Sequence, residues 1–412
     1  MSSELPGRVL ALLRYFPTYS ELFVYRELAT LRAQGFPLDV LTLRHHRTRA
    51  WAAQSEVGGK LEELPRWPLY APILRQAIIR LLKAPRACLR ALVWGRRQLK
   101  WKECLKALYL AQTCRVRGIR LLHVHFAGEA ADIAEVSRLA GGPAYSLTLH
   151  ARDLFVPRPS VPTLLENAAS LVCISEYNRQ WIREHFGQRW ADKCVVHRLG
   201  VPFETLSPAP SARDGHFELL CVARLVPKKG LLTLFEALKL LKERGFSPHL
   251  TLVGEGKQRP QLEAYRQQHQ LEAYVTLCGA QSQQELEACY QVGLVAFVLA
   301  CETAADGDQD GIPVSLMEAM ARAVPVISTT VSGIPELVRS GEEGLLVPPR
   351  HPVTLADALQ LLAQNPALRE RLGSAARRRI QQDFELGSQT AHLRQHLTAV
   401  LQKTWMRPEG AV

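Results

Sequence analysis

The sequence predicts an α/β protein made of two Rossmann-like domains. Three observations carry this reading. Short apolar runs alternate with helical stretches along almost the whole chain, which is the signature of parallel sheets covered by helices. A Pro-, Ser- and Ala-rich stretch, TLSPAPSARDGH (205–216), cuts that alternation into two series. With 412 residues, 47% of them hydrophobic, the chain has the length and the core material for two domains and is too apolar for a disordered protein.

In the first series VLALLRYF (9–16), LDVLTLR (38–44), LLHVHF (121–126), YSLTLH (145–150), LVCI (171–174) and CVVH (194–197) read as strands. Between the first two, ELFVYRELATLRAQG (21–35) is a helix ended by Gly35. The second series opens with strand FELLCVA (217–223) and helix GLLTLFEALKLLKERG (230–245). Strand HLTLVG (249–254), a helix near 258–270, strand YVTLCG (274–279), a helix over 283–292 and strand LVAFVLA (294–300) follow. Helix PVSLMEAMARA (313–323) and strand VPVIST (324–329) complete that core. This gives an N-terminal domain over 1–204, a linker over 205–216 and a second domain over 217–383. Open sheets of this kind bind ligands at the carboxyl ends of their strands.

Composition narrows the function classes. The nine cysteines are scattered singly, with no C-x-x-C pair and no histidine spaced for zinc, so they read as small buried residues in a reducing compartment. The N-terminal apolar run VLALL (9–13) is cut by Arg14, too short for a signal peptide, and no run reaches the length of a membrane span. A cytoplasmic protein is expected. The formal charge of +12 is concentrated between 70 and 118, where twelve Lys and Arg face a single acid, Glu103, interleaved with Leu, Ile, Val and Trp at helical spacing. The bland reading is a solvated helical face. The functional one is docking on an anionic membrane surface, peripheral on its inner face. Nucleic acid is not expected, because no zinc-finger, RRM or KH signature accompanies the charge.

Four loops after strands in the second series carry polar or glycine-rich features. In ARLVPKKG (223–230), Arg224 and Lys229 are cations beyond a strand end, a pattern that suits a pyrophosphate. In GEGKQRPQLE (254–263), Gly254 and Gly256 permit a tight turn around Glu255 into a helix. The acidic run DGDQDGIPVSLMEAM (306–320) opens like a calcium loop. Position 12 of that loop, however, is Met317 instead of a bidentate Glu, and Pro313 falls where the loop should still be turning. The alternative is a metal-free cradle in which Gly311, Ile312, Pro313 and Val314 start a helix whose N–H groups face phosphate. Asp310 and Glu318 would then accept hydrogen bonds from hydroxyls. The fourth loop, VSGIPELV (331–338), is a structural turn unless it borders a ligand.

ARLVPKKG, GEG, QDGIPVSLMEAMARAVPVISTTVSGIPELV and GLLVPP (344–349), in this order, resemble the retaining glycosyltransferases of family 4, which have the GT-B fold. RYFPTYSELFVYRELATLRAQG, HVHFAGEAADIAEVSRLAG, LTLHARDLF and CISEYNRQWI are similar to the exopolysaccharide branch, the colanic-acid and amylovoran type. The resemblance implies two Rossmann-like domains facing across a cleft, with the C-terminal segment 384–412 returning to the first domain as a helix. It implies that Arg224 and Lys229 hold the donor diphosphate, Glu318 the nucleotide ribose and Asp310 the sugar hydroxyls, with Gly254, Glu255, Gly256, Gly311, Ile312, Pro313 and Val314 completing the donor site. His150 takes the place of the family's cleft histidine, and Asp153 follows it.

Two departures stand out. The family's first Glu of Glu-x7-Glu is Asp310 here, and the Gly-rich loop after the first strand is replaced by FPTYSE (16–21). Ser20 and Glu21 of that turn fall on the acceptor or cleft side without assigned roles, as does His125, which reads first as a structural histidine. The implied reaction moves a hexosyl group, with retention, from a UDP- or GDP-sugar to a glycan or polyprenyl-linked saccharide, with no metal or other cofactor. A sugar-nucleotide epimerase of the same fold and a catalytically silent sugar-nucleotide-binding scaffold are the alternatives; turnover of the donor separates them.

Overall fold

A computed structural model describes residues 7–16, 21–45, 61–63, 70–212, 215 and 217–405. Its strands are β1 Arg8–Phe16, β2 Leu38–His45, β3 Leu61–Glu63, β4 Ile119–His125, β5 Ala144–Leu149, β6 Ser170–Cys173 and β7 Cys194–Val196, then β8 Glu218–Val222, β9 His249–Val253, β10 Val275–Gly279, β11 Ala296–Val298, β12 Val326–Thr329 and β13 Gly344–Val347. The first seven form one sheet in the order β3-β2-β1-β4-β5-β6-β7, and the other six form a second in the order β10-β9-β8-β11-β12-β13. All pairs are parallel. The fold is the α/β, doubly covered one that the alternation predicts.

The reason is local. Parallel strands with helices on both faces are buried on both, so their sequences are apolar almost without interruption. Val9 to Leu13 of β1, and Ala296, Phe297 and Val298 of β11, are all in the core. The polar-looking edge strand β3 and the short β13 escape a reading based on such runs.

The chain divides into two compact units. The first comprises residues 1–174, 178–200 and 386–412; the second comprises 175–177 and 201–385. In the first, the C-terminal helix Leu386–Trp405 lays Leu393, Leu397, Val400 and Leu401 against Val9, Ala11, Val24, Leu28 and Leu31. His396 Nε2 lies 2.6 Å from Ser170 Oγ, and Arg394 donates to the Gln34 carbonyl at 2.8 Å. The stretch read as a linker lies with the second unit as far as it is described: Leu206 is buried, and Ala209 N–H donates to the Arg322 carbonyl at 2.8 Å.

The basic stretch 70–118 forms three helices, Ala71–Lys83, Pro85–Gln98 and Trp101–Val116. Two of its twelve cations are not on a solvated face. Arg80 is buried and its Nε donates to the Ala140 carbonyl at 2.5 Å, and Lys106 is buried as well. No helix among the described residues is long and apolar enough to cross a membrane.

In each sheet the strand order reverses beside the first strand of its series, between β1 and β4 and between β8 and β11. Loops diverge there in opposite directions and leave a crevice at the carboxyl ends. Of the four polar loops singled out in the second series, those after β8 and β11 flank its reversal, and those after β9 and β12 lie one strand further out on either side.

Candidate functional site

In the second unit, β8 runs into the loop that carries Arg224, Lys228 and Lys229, and β11 runs into the loop that carries Asp308 and Asp310. Gly230 lets the two loops meet. It sits at φ +61°, with the Ala300 carbonyl where a side chain would begin, so any Cβ there would collide with backbone. Glu302 N–H also donates to the Lys228 carbonyl at 3.0 Å. On the other side, Leu225 N–H donates to the Glu255 carbonyl at 2.9 Å and Gln258 N–H to the Leu225 carbonyl at 3.0 Å, so the Gly254–Gly256 turn lies alongside the lysine loop. The sequence-predicted residues of this half are thus brought together at one strand-order reversal.

Their electrostatics differ from the simple cradle. Asp310 is buried and pairs with both neighbouring lysines: Lys229 Nζ contacts Oδ2, and Lys228 Nζ lies 3.3 Å from Oδ1. Lys228 Nζ also reaches Asp308 Oδ1 at 3.1 Å and donates to the Gln309 carbonyl at 3.1 Å. Burial pushes the Asp310 carboxyl upward, but the Lys229 and Lys228 charges outweigh it and hold the group below its ordinary value. Burial likewise pulls Lys229 down, and Asp310 more than offsets it, so the ammonium stays charged. Cys301 Sγ, 3.6 Å from Asp310 Oδ2, is driven up by burial and by that carboxylate, and stays a neutral thiol. Asp306 is exposed and braces the loop, accepting from Asp308 N–H at 3.1 Å.

Arg224 is exposed on the same loop as Lys229. Pro313 stands at the N-cap of helix Val314–Ala321, one residue outside the predicted start, with Gly311 and Ile312 buried just before it. Glu318 is half-buried on that helix, whose end is anchored by Arg322: Nη1 donates to the Glu318 carbonyl at 3.1 Å, and the guanidinium lies 4.3 Å from the Tyr290 ring centre. Gly333 of the VSGIPELV turn packs against Ile312, so that turn borders the site as well. Glu255 is exposed and pairs with Arg259 at 2.6 Å.

The first unit gathers a different set. His150, directly after β5, is 6% exposed; its ring lies 4.2 Å from that of Phe126 and 5.4 Å from that of Phe23. Its Nε2 is 3.4 Å from His125 Nδ1. Burial, reinforced by the neighbouring His125, drives the His150 pKa well below the ordinary histidine value, so it acts as a neutral imidazole. Asp153 accepts from His150 N–H at 2.9 Å; burial outweighs its hydrogen bonds and raises its pKa to about 6. Glu21 immediately precedes helix Leu22–Ala33, whereas Ser20 and most of the FPTYSE turn lie outside the described residues.

The sequence reading missed Lys228 and Glu27. In the Lys228–Lys229 pair nothing local says which lysine turns inward; both do. Glu27, in the middle of helix Leu22–Ala33, is buried against His125, His123 and His197. The usable signal was His123-x-His125 on a strand, since residues two apart share one face.

The sequence profile described as "Glycosyl transferases group 1" matches residues 203–379. WcaL of Escherichia coli K12, provisionally described as a colanic acid biosynthesis glycosyltransferase, is 30% identical over 379 residues, covering 85% of this chain and 89% of that protein. The amylovoran biosynthesis glycosyltransferase AmsK of Erwinia amylovora is 38% identical over 195 residues, 47% of this chain and 48% of its own length. Among solved structures, Alr3699/HepE of Anabaena in complex with UDP and glucose superposes with a TM-score of 0.70 at 17% identity, over 95% of this chain and all of that one.

Proposed function

This chain belongs to the group 1 glycosyl transferases and is related to enzymes of exopolysaccharide biosynthesis, and we propose that it transfers a hexosyl group, with retention, from a UDP- or GDP-sugar to a glycan or polyprenyl-linked saccharide. The observation that carries this reading is the buried Lys228–Asp310–Lys229 group beside exposed Arg224, at the strand-order reversal of the second sheet. A site that keeps one ammonium charged in the core, with a guanidinium at its edge, suits a diphosphate whose negative charge grows as it leaves. The start of helix Val314–Ala321 adds free N–H groups to the same task.

Each residue then has a distinct task. Lys229 and Arg224 neutralise the departing diphosphate. Glu318, half-buried on the helix, accepts from the ribose hydroxyls. Asp310 divides its carboxylate between the lysines and the hydroxyls of the sugar, and its shorter side chain is already engaged before a donor arrives. His150, as a neutral imidazole, offers a hydrogen bond to the sugar or acceptor. In the reaction the bond from the anomeric carbon to the phosphate oxygen breaks, and the acceptor oxygen bonds that carbon on the same face. The acceptor proton passes to the leaving phosphate. The donor site in this reading needs no metal, because two of the acidic loop's carboxylates face a lysine: Asp308 and Asp310 both pair with Lys228.

The acceptor side is read from the basic helices. On Ala71–Lys83, Leu74, Ile78, Leu81 and Leu82 are exposed along one stripe, while Ile73 and Ala77 point into the core. Leu89 and Val93 on Pro85–Gln98 and the nearby Trp101 are exposed too, among the exposed cations Arg75, Lys83, Arg86, Arg90, Arg96, Arg97, Lys100 and Lys102. Apolar side chains ringed by cations suit an anionic bilayer surface, where a polyprenyl-linked acceptor resides.

The deciding experiment screens UDP- and GDP-sugars for thermal stabilisation and for turnover in the presence of EDTA. A ligand at a hundred times its Kd adds about 2.7 kcal/mol of apparent stability. The reading expects one nucleotide class to stabilise the protein and its sugar to be transferred with the chelator present. Stabilisation by none of them, or turnover abolished by EDTA and restored by added metal, defeats it.

A further inference from the structure

The core of the first unit holds a carboxylate facing three imidazoles, on elements the donor chemistry does not use. Glu27 sits in the middle of helix Leu22–Ala33, His123 and His125 lie on one face of β4, and His197 follows β7. All four are buried: Glu27 is 3% exposed, His123 0%, His125 2% and His197 5%. The ring Nε2 atoms converge on the carboxylate. Oε1 is 3.2 Å from His125 Nε2 and 3.8 Å from His123 Nε2, and Oε2 is 2.9 Å from His197 Nε2.

Hydrogen bonding accounts for only part of the group, the 2.9 Å pairing of His197 Nε2 with Glu27 Oε2. Among the described residues neither ring nitrogen of His123 has a well-aligned hydrogen-bond partner, nor do His125 Nε2, His197 Nδ1 and Glu27 Oε1. Buried polar atoms are nearly always satisfied, and three of these, His123 Nε2, His125 Nε2 and Glu27 Oε1, face one another, which points to something between them. One ligand atom each from Glu27, His123 and His125 lies within 4.8 Å of the others.

We propose that Glu27, His123 and His125 form a buried structural site for a divalent transition metal, with His197 holding the second carboxylate oxygen of Glu27 and zinc the best match to the ligand set. Zinc takes imidazole nitrogen and carboxylate oxygen at about 2.0–2.2 Å, which sets tetrahedral ligand atoms roughly 3.3 Å apart. The 3.2 Å and 3.8 Å separations around Oε1 bracket that value. A ligating histidine also needs its other nitrogen held, and His125 Nδ1 lies 3.4 Å from His150 Nε2. All three ligands are buried, so the site has no face open to solvent and serves to clamp elements together. Here it would tie helix Leu22–Ala33, β4 and the end of β7 to one point, with His150 braced behind His125. The site stands apart from the donor reading, since none of its residues belongs to the second unit.

The test is elemental analysis of the intact chain, produced with zinc in the medium and passed through EDTA-containing buffer to strip surface metal. About one zinc per chain is expected. It should fall below about a tenth in His123→Ala and in Glu27→Gln, the latter chosen because it keeps the side-chain shape. Cobalt supplied in place of zinc should give the visible absorption of a tetrahedral site. Thermal unfolding of chain freed of metal should shift upward on adding zinc and not on adding magnesium. Wild-type protein without bound metal whose unfolding ignores zinc would overturn the proposal and leave a carboxylate hydrogen-bonded among imidazoles. Zinc retained equally by both variants would overturn it too, as adventitious binding elsewhere.

Discussion

Replacing Asp310 by Ala tests the second unit's polar core most directly. In the native protein this carboxylate is, among the described residues, the one carboxylate paired with Lys229 and one of two paired with Lys228, all three side chains being about nine-tenths enclosed. Removing one partner of a buried pair leaves an uncompensated charge and costs about 3–5 kcal/mol. Lys228 keeps Asp308 at 3.1 Å, so the penalty falls mainly on Lys229 and belongs at the lower end. For a unit of this size each kcal/mol moves the unfolding midpoint by about 2–4 °C, which predicts a fall of roughly 6–12 °C. Differential scanning fluorimetry without ligand reads it. A second variant sharpens the inference: Lys229→Met combined with Asp310→Leu should recover most of the loss, since a buried pair exchanged for apolar groups of similar volume is often neutral. A midpoint for Asp310→Ala within about 1 °C of wild type would refute the argument that this pair balances charge in the core.

Glu318→Ala should lower transfer by roughly ten- to a hundredfold, the loss of one charged hydrogen bond, while the half-exposed position leaves the unfolding midpoint unchanged; wild-type kinetics would remove Glu318 from the donor site. Asp153, with its pKa raised to about 6 from 3.8, binds its proton more tightly folded than unfolded, so its contribution to stability falls as pH rises through that window. Urea titrations of Asp153→Asn against wild type should show the difference moving by up to about 3 kcal/mol in favour of Asn between pH 4 and 7; a pH-independent difference would contradict it. The protein should sediment with anionic vesicles at low salt and separate from them at high salt, and changing Arg96, Arg97, Lys100 and Lys102 together to Gln should weaken that binding. Equal binding to neutral vesicles would reduce the stretch to a solvated face.

Both sheets were legible because doubly covered parallel strands must be apolar along their length, as VLALL in β1 and AFV in β11 are. The short edge strand Leu61–Glu63 has no such run, and its place is set by pairing with β2. The donor loops were legible through glycine, proline and charge order. What they did not reveal was which charges turn inward. Lys228 finds Asp308 eighty residues along the chain, and Glu27 finds His197 at a separation of 170. Those pairings exist only once the sheets have closed, and a buried Glu in a helix looks, in one dimension, like any solvated residue of its polar face. Arg80 shows the same limit, since it sits among surface cations in sequence yet caps the Ala140 carbonyl inside the core.

The helix Leu386–Trp405 has a bearing on how the protein is born. Its Leu393, Leu397 and Leu401 complete a hydrophobic core whose other members, from Val9 to Val40 and Leu121, leave the ribosome long before it. At about 5–20 residues per second, synthesis of the intervening second unit takes on the order of ten seconds or more. During that interval the seven-stranded sheet waits with an apolar groove uncovered, while the later unit already has all its strands. Nascent chains should therefore hold a folded C-terminal sheet next to an unfinished N-terminal one, and holdase chaperones will find their grip on Leu28, Leu31 and Val9 until the last helix emerges.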